Sequence, residues 1–363
     1  MSNTVDPTPF YKKLAFNLLS LFVVGAILYI GQGILVPLFF SVLLAALLLP
    51  IVQLLEQKKF NRVLSILLSL FCSIVVIVGV IYFLSSQMAN FFRDIDIIKE
   101  RLNEVFNSAQ RWVGEKFNIA VRTQDEYIQD TTEKVRAGEI VGKTFISLTT
   151  FLSYIVLVPV YTFLLLYYKD LIKQFMIHVF RNDNEDKIRE VLHESRLVSQ
   201  SFITGLLIEV VIVFALNSVG FLILGIKYAL FLALLAALLN LVPYIGMITA
   251  NVISMLITLV SSENVSDILW VGAILALVQF IDNNFLMPFI VGSKVRINAL
   301  ATLIGVLVGG ALCGIPGMFL AIPGIAVLKV IFDRVEGLKP YGILVGDNVT
   351  TPTMSFRRLR RKS

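Results

Sequence analysis

The chain has 363 residues, 57% of them hydrophobic and only 15% charged, with a mean hydropathy of +0.84 and a net charge of +6. Soluble domains average about 25% charged and 45–50% apolar residues, so the composition excludes a disordered chain, a disulfide scaffold and a soluble enzyme. It fits an integral membrane protein with several spans and a modest water-facing part.

Residues 14–55 carry no charge. About 20 apolar residues cross a bilayer, so this stretch predicts two helices joined by a tight turn near Gly31-Gln32-Gly33, with Pro37 in the first turn of the second. The run follows Lys12 and Lys13 and is too long for a signal-peptide core; it reads as an uncleaved anchor. Lys58, Lys59 and Arg62 precede a second charge-free interval, 63–92, which completes a scaffold of three spans over residues 1–92. Residues 93–143 hold nine basic and ten acidic residues, with Ile95, Ile98, Leu102, Val105 and Phe106 at helical spacing. They predict an amphipathic helical region that packs and does no chemistry. A fourth span covers 144–168. A polar amphipathic segment, 169–198, contains the only histidines, His178 and His193, which lack metal-ligand spacing.

Lysine and arginine in short loops place the N-terminus, the Lys58 loop, residues 169–198 and the tail 335–363 in the cytoplasm, and residues 93–143 outside. The tail ends in Arg357, Arg358, Arg360, Arg361 and Lys362, which suits anionic lipid; nucleic acid would need a folded basic surface with stacking aromatics. Cys72 and Cys313 lie in apolar runs and are expected as free, buried thiols.

Residues 199–334 form a transport unit. Glu209 is the only charge in 197–226 and Asp282 the only charge in 268–293. Each is followed 34 residues later by a proline, Pro243 and Pro316. The two blocks superpose at an offset of 73, which predicts an internal repeat. In each block a span precedes an apolar run broken at Pro or Gly: 229–242 and 247–260 flank the first break, 300–313 and 317–332 the second. An arm of 14 residues is about 21 Å long, short of a hydrocarbon core near 30 Å. Loop charge favours two re-entrant hairpins: Lys294 and Arg296 then fall inside and the acidic loop Ser261–Asp267 outside. The units have opposite topology, the plan of many secondary transporters. The expected fold is an all-α polytopic membrane protein of eight hydrophobic segments, six full spans and two hairpins.

A carboxylate near the bilayer centre costs about 2.5–3.5 kcal/mol on insertion scales, so Glu209 and Asp282 are the leading candidates for binding a proton, cation or solute. A structural carboxylate that satisfies a hairpin backbone is the plainer alternative. Gln279, Asn283 and Asn284 surround Asp282, and Asn240 precedes the first break; their amides suit a polar ligand. Pro243, Gly246, Gly314, Pro316 and Gly317 mark the hairpin tips, where freed backbone groups face a solute. Gly305, Gly309, Gly310 and Gly314 predict close helix packing. Ala137–Thr144 imitates a relaxed phosphate loop but lacks the preceding strand and is set aside. No metal site, cofactor or nucleophile–base pair is expected.

Val278-Gln-Phe-Ile-Asp-Asn-Asn284, Leu286-Met-Pro288 and Ile290-Val-Gly-Ser293 resemble the signature of the autoinducer-2 exporter (AI-2E) family. Leu239-Asn-Leu-Val-Pro-Tyr-Ile-Gly246 and Gly314-Ile-Pro-Gly-Met-Phe-Leu-Ala-Ile-Pro323 resemble its other motifs, and the likeness covers nearly the whole chain. The resemblance implies a bacterial plasma-membrane transporter, a homo-oligomer in the lipid bilayer with a small-molecule or ion substrate. It implies export of autoinducer-2 or a related solute, with Na⁺(Li⁺)/H⁺ antiport as the alternative. A non-transporting scaffold is the reading from a different class.

Overall fold

Glycine, asparagine and left-handed residues set the helix ends in the computed structural model, which describes residues 10–93, parts of 100–116, 153–179, 185–262, 264–292 and 297–347. Nearly all of the expected external region, the phosphate-loop imitation at 137–144, Ser293–Arg296 and the basic tail lie outside the described residues.

Helix α1 (Phe10–Ile30) and α2 (Gln32–Gln57) are separated by Gly31 alone. Gly31 donates to Ile27 O at 2.8 Å and accepts from Leu35 N–H at 2.9 Å, so helical bonding resumes at once and α2 starts early. Pro37 is therefore inside α2 and buried, one turn deeper than expected. The stop of α2 is set by Lys59 at φ 70°: Lys59 N–H bonds Glu56 O at 3.0 Å and Phe60 N–H bonds Leu55 O at 3.2 Å, closing the last carbonyls. The Asn61 side chain then accepts Leu64 N–H at 2.8 Å and opens α3 (Arg62–Arg93).

Helix α4 (Ser153–Tyr167) bends by 68° into α5 (Lys169–Val179). Ion pairs Lys169–Glu56 (3.0 Å) and Arg62–Asp170 (2.9 Å) tie the bend to the α2–α3 loop. Helix α6 runs unbroken over Glu185–Ile223, 39 residues, straight through the expected boundary at 198/199. The boundary is a change of polarity with no Gly or Pro, and polarity alone does not end a helix. Gly225 at φ 69° ends it, with Ile226 N–H on Phe221 O at 3.0 Å.

The remaining elements are α7 (Ala229–Leu239), α8 (Ile245–Ser261), α9 (Val265–Ile281) continuing as a π-helical stretch Asp282–Gly292, α10 (Ala299–Arg334), a 3₁₀ turn Glu336–Leu338 and α11 (Lys339–Val345). Helices α7 and α8 pack together as the arms of a hairpin broken at Asn240–Tyr244. Helix α10 is also two arms. Cys313 (φ −133°) and Gly314 (φ 64°, ψ −150°) are non-helical, a conformation at Gly314 that a Cβ opposes. The arms fold back on each other. A Cβ on Gly309 would strike the carbonyl of Gly317, one on Gly305 would strike Ile325, and one on Gly310 would strike Met318. The glycine spacing thus serves close packing, as expected. Both ends of this second hairpin meet α11: Asn298 Nδ2 donates to Gly346 O at 3.1 Å, and Asp333 lies against Gly342. The breaks begin at Asn240 and Cys313, 73 positions apart, the same offset as Glu209 and Asp282.

The two hairpins open at opposite ends of α6. The first leaves from its C-terminal end through Tyr228. The second closes at its N-terminal end, where Arg334 pairs with Glu190 (3.1 Å) and Glu194. By length and apolarity alone, five helices among the described residues qualify as membrane spans, or six with the bent α4–α5 pair; one of the five is the folded-back α10. The expected eight segments are not reached on that measure, because Leu14–Ile30, α7 and α8 are too short. The surface has the sidedness of a membrane protein: Phe71, Val76 and Ile223 are exposed, while Ser65, Ser69, Thr162, Asn217, Ser254 and Thr258 are buried. For the same reason Cys72 is exposed on α3, and Cys313 is half-buried, correcting the expectation of buried thiols; both are free.

Candidate functional site

The isolated charges converge. Glu209, midway along α6, and Asp282, where α9 passes into the π-helical stretch, are each 2% exposed. Asn240, which ends the first arm, donates Nδ2 to Glu209 Oε1 at 3.0 Å and to Asp282 Oδ2 at 3.1 Å. Gln279 Nε2 adds a longer bond to Asp282 Oδ2 (3.4 Å) and one to Asn283 Oδ1 (3.0 Å). The remaining oxygens, Glu209 Oε2 and Asp282 Oδ1, are buried without a partner. Among the described residues, amides are therefore the only groups bonded to either carboxyl. Leaving such an acceptor dry costs about 1–3 kcal/mol, more if it is ionised, so the arrangement calls for an incoming donor or cation.

Local sequence explains the placement. Asp282-Asn-Asn are weak helix formers and Pro288 lacks a backbone donor, so the helix widens to π geometry over Asp282–Gly292. Such stretches gather at functional sites. The first tip is strained: Tyr244 has φ 61° and ψ −58°, and Ile245 N–H reaches back to Pro243 O at 2.7 Å. This is a γ-turn with positive φ on a bulky residue, costing about 1–3 kcal/mol. Gly246 follows because a Cβ there would strike the Leu239 carbonyl.

A cavity of about 250 Å³ lies against the pair. Its polar side is Glu209, Asn240, Gln279, Asp282, Asn283 and Thr302. Its apolar wall includes Phe202, Met287 and Phe319, and Phe319 stacks on Phe40 of α2 at 5.5 Å. Pro243 also lines it. Other expected residues do not. Asn284 is exposed and donates to Phe280 O at 2.8 Å, and Gly246, Gly314, Pro316 and Gly317 stand apart from the cavity. The cavity is thus lined by one tip and the arms of the other hairpin. Its second tip turns to α1, where Cys313 Sγ lies 3.9 Å from Leu28 O. Sequence reasoning missed Thr302, Phe202, Phe319 and Tyr244. Their apolar or neutral side chains give no signal in an apolar chain.

All-helical architecture, lipid-facing apolar surface and paired intramembrane carboxyls define a multi-pass membrane protein of transporter type. The chain belongs to the AI-2E transporter family, whose profile, described as AI-2E family transporter, matches residues 17–337. It is 28% identical over 313 residues to YrrI of Bacillus subtilis, provisionally named a transport protein, covering 82% of this chain and 86% of YrrI. It is 26% identical over 333 residues to PerM of Escherichia coli K12, provisionally a permease, covering 87% of this chain and 92% of PerM. YhhT of the same strain, provisionally a transport protein, is 32% identical over 127 residues, 35% of this chain and 36% of YhhT.

Proposed function

We propose that the protein is a secondary transporter of the bacterial plasma membrane that exports a small polar solute such as autoinducer-2 or a related hydroxylated metabolite. The carrying observation is the carboxyl pair Glu209–Asp282, joined by Asn240 and left with two unpartnered acceptor oxygens at a cavity. Those acceptors suit a ligand that brings hydroxyl donors, and the amides of Gln279 and Asn283 suit its remaining groups. At about 250 Å³ the cavity lies just below the range of about 300–1,000 Å³ for drug-sized ligands, which suits a smaller solute. Asp282 binds the solute or a coupled proton, Glu209 assists, and the first tip at Pro243–Tyr244 shapes the site. The hairpins are re-entrant and inverted: the shared offset of 73 and the opposite mouths on α6 support this. The termini lie in the cytoplasm, and the chain works as a homo-oligomer.

The test is efflux of autoinducer-2 from proteoliposomes with wild type, Asp282→Asn and Glu209→Gln. At least a tenfold loss is expected for Asp282→Asn and a smaller one for Glu209→Gln, with all three folded and inserted. Wild-type efflux by Asp282→Asn makes the carboxyl structural and removes the mechanism.

A further inference from the structure

A second, smaller chamber of about 20 Å³ also borders Asp282, with neither Thr302 nor Phe319 in its lining. Asp282, Asn240 and Gln279 form one wall; Asn217 of α6 and Asn251 of α8 form another. The volume accommodates about one water molecule. Asn217 is 2% exposed and its Oδ1 has no partner; neither has Asp282 Oδ1. Both residues line the chamber, and the two donors of a single water there match their two free acceptors.

Polarity continues beyond the chamber. Ser254 and Thr258 lie one and two turns past Ala250 on the buried face of α8, which leads to the hairpin mouth at Ser262. Both are fully buried, and Ser254 Oγ has no partner. On α6, Ser218 Oγ is likewise buried and unpartnered. Three orphaned polar groups on two helices that both line the chamber are costly in an apolar bundle, and native structures rarely keep them dry. An apolar cluster containing Phe221, Leu232 and Val271 packs against α8 at this level, all three fully buried.

We propose that this chamber binds water and is the closed inner end of the route along which solute leaves the Glu209–Asp282 site toward the mouth of the first hairpin. The cluster around Phe221 is the plug, and the Asn217–Ser254–Thr258 groups are the lining exposed once it parts. This rests on the transporter reading, but water access is measurable without any transported solute.

The experiment places single cysteines at Asn217 and Ser254 in a Cys72→Ser, Cys313→Ser background in spheroplasts. A hydrophilic methanethiosulfonate is added from the face carrying Ser262. Leu232→Cys is the dry interior control and Val252→Cys the lipid-facing one. Modification at least tenfold faster than both controls is expected at both positions. Rates no faster than the controls overturn the proposal, whether or not efflux is observed. Thermal midpoints of Asn217→Leu and Ser254→Ala give a second reading. A hydrated group loses bonds on removal, so the midpoints fall; a dry orphan is a liability, so a rise in both overturns the proposal. Fast labelling with no efflux of any tested solute leaves the hydrated chamber standing and counts against the transporter reading alone.

Discussion

Glu209 and Asp282, 73 positions apart in the chain, meet through one atom, the Nδ2 of Asn240. A carboxamide nitrogen carries two hydrogens, so one residue uses both of its donors by joining both carboxyls. The first hairpin is thereby bonded to the long helix α6 and to the π-helical stretch at once.

Asn240→Ala removes both bonds, each worth about 1.5–3 kcal/mol if the acceptor is charged. The thermal midpoint of the purified protein should fall, and Asn240→Asp should lower it further by adding a third carboxyl. Glu209→Gln should restore part of the loss in the Asn240→Asp background. An Asn240→Asp protein that melts with wild type would mean that the bridge holds nothing together.

The topology prediction concerns hairpin mouths. Single cysteines at Ser262 and Gly337 should label from opposite faces of the membrane, and one at Ser293 should label with Gly337. If Ser293 and Gly337 label from opposite faces, the second hairpin crosses completely and the inverted arrangement fails.

Two glycines of α10 make a contrast of sign. Gly309→Ala forces a Cβ onto the Gly317 carbonyl and should destabilise by about 1–3 kcal/mol. Gly324→Ala meets nothing within 4 Å and should be neutral or stabilising by up to about 1 kcal/mol. Equal midpoints for the two variants would contradict the close packing of the arms.

Tyr244→Gly relieves the positive φ at the first tip. A gain of about 1 kcal/mol is expected in unfolding stability, together with slower efflux because the tip loses its fixed shape. A lower midpoint would show that contacts of the tyrosine ring outweigh the backbone strain.

Much of the site was legible because a charge in an apolar run stands out. Glu209 and Asp282 are isolated in their segments, and Pro243 and Pro316 flag the breaks. Asn240 was legible from its place beside the first break. The geometry of the second hairpin was not. Its proline motif predicts a break, which occurs at Cys313 and Gly314, but nothing in the residues says that the tip turns to Leu28 while Thr302 and Phe319 face the cavity. No helix ends at 198/199, because composition changes there and backbone preference does not. Asn217 and Asn251 carried a readable signal, amides in apolar helices, that neighbouring carboxylates overshadowed.

Helix α6 also has a mechanical role. Its 39 residues form a rod about 58 Å long, with no proline, and Glu190 lies about 28 Å along it from Glu209. Arg334 grips the rod near one end, and Asn240 grips it near the middle. A stiff beam held at two stations converts a tilt at the Arg334 clamp into a sideways displacement at Glu209 without any side chain relaying it.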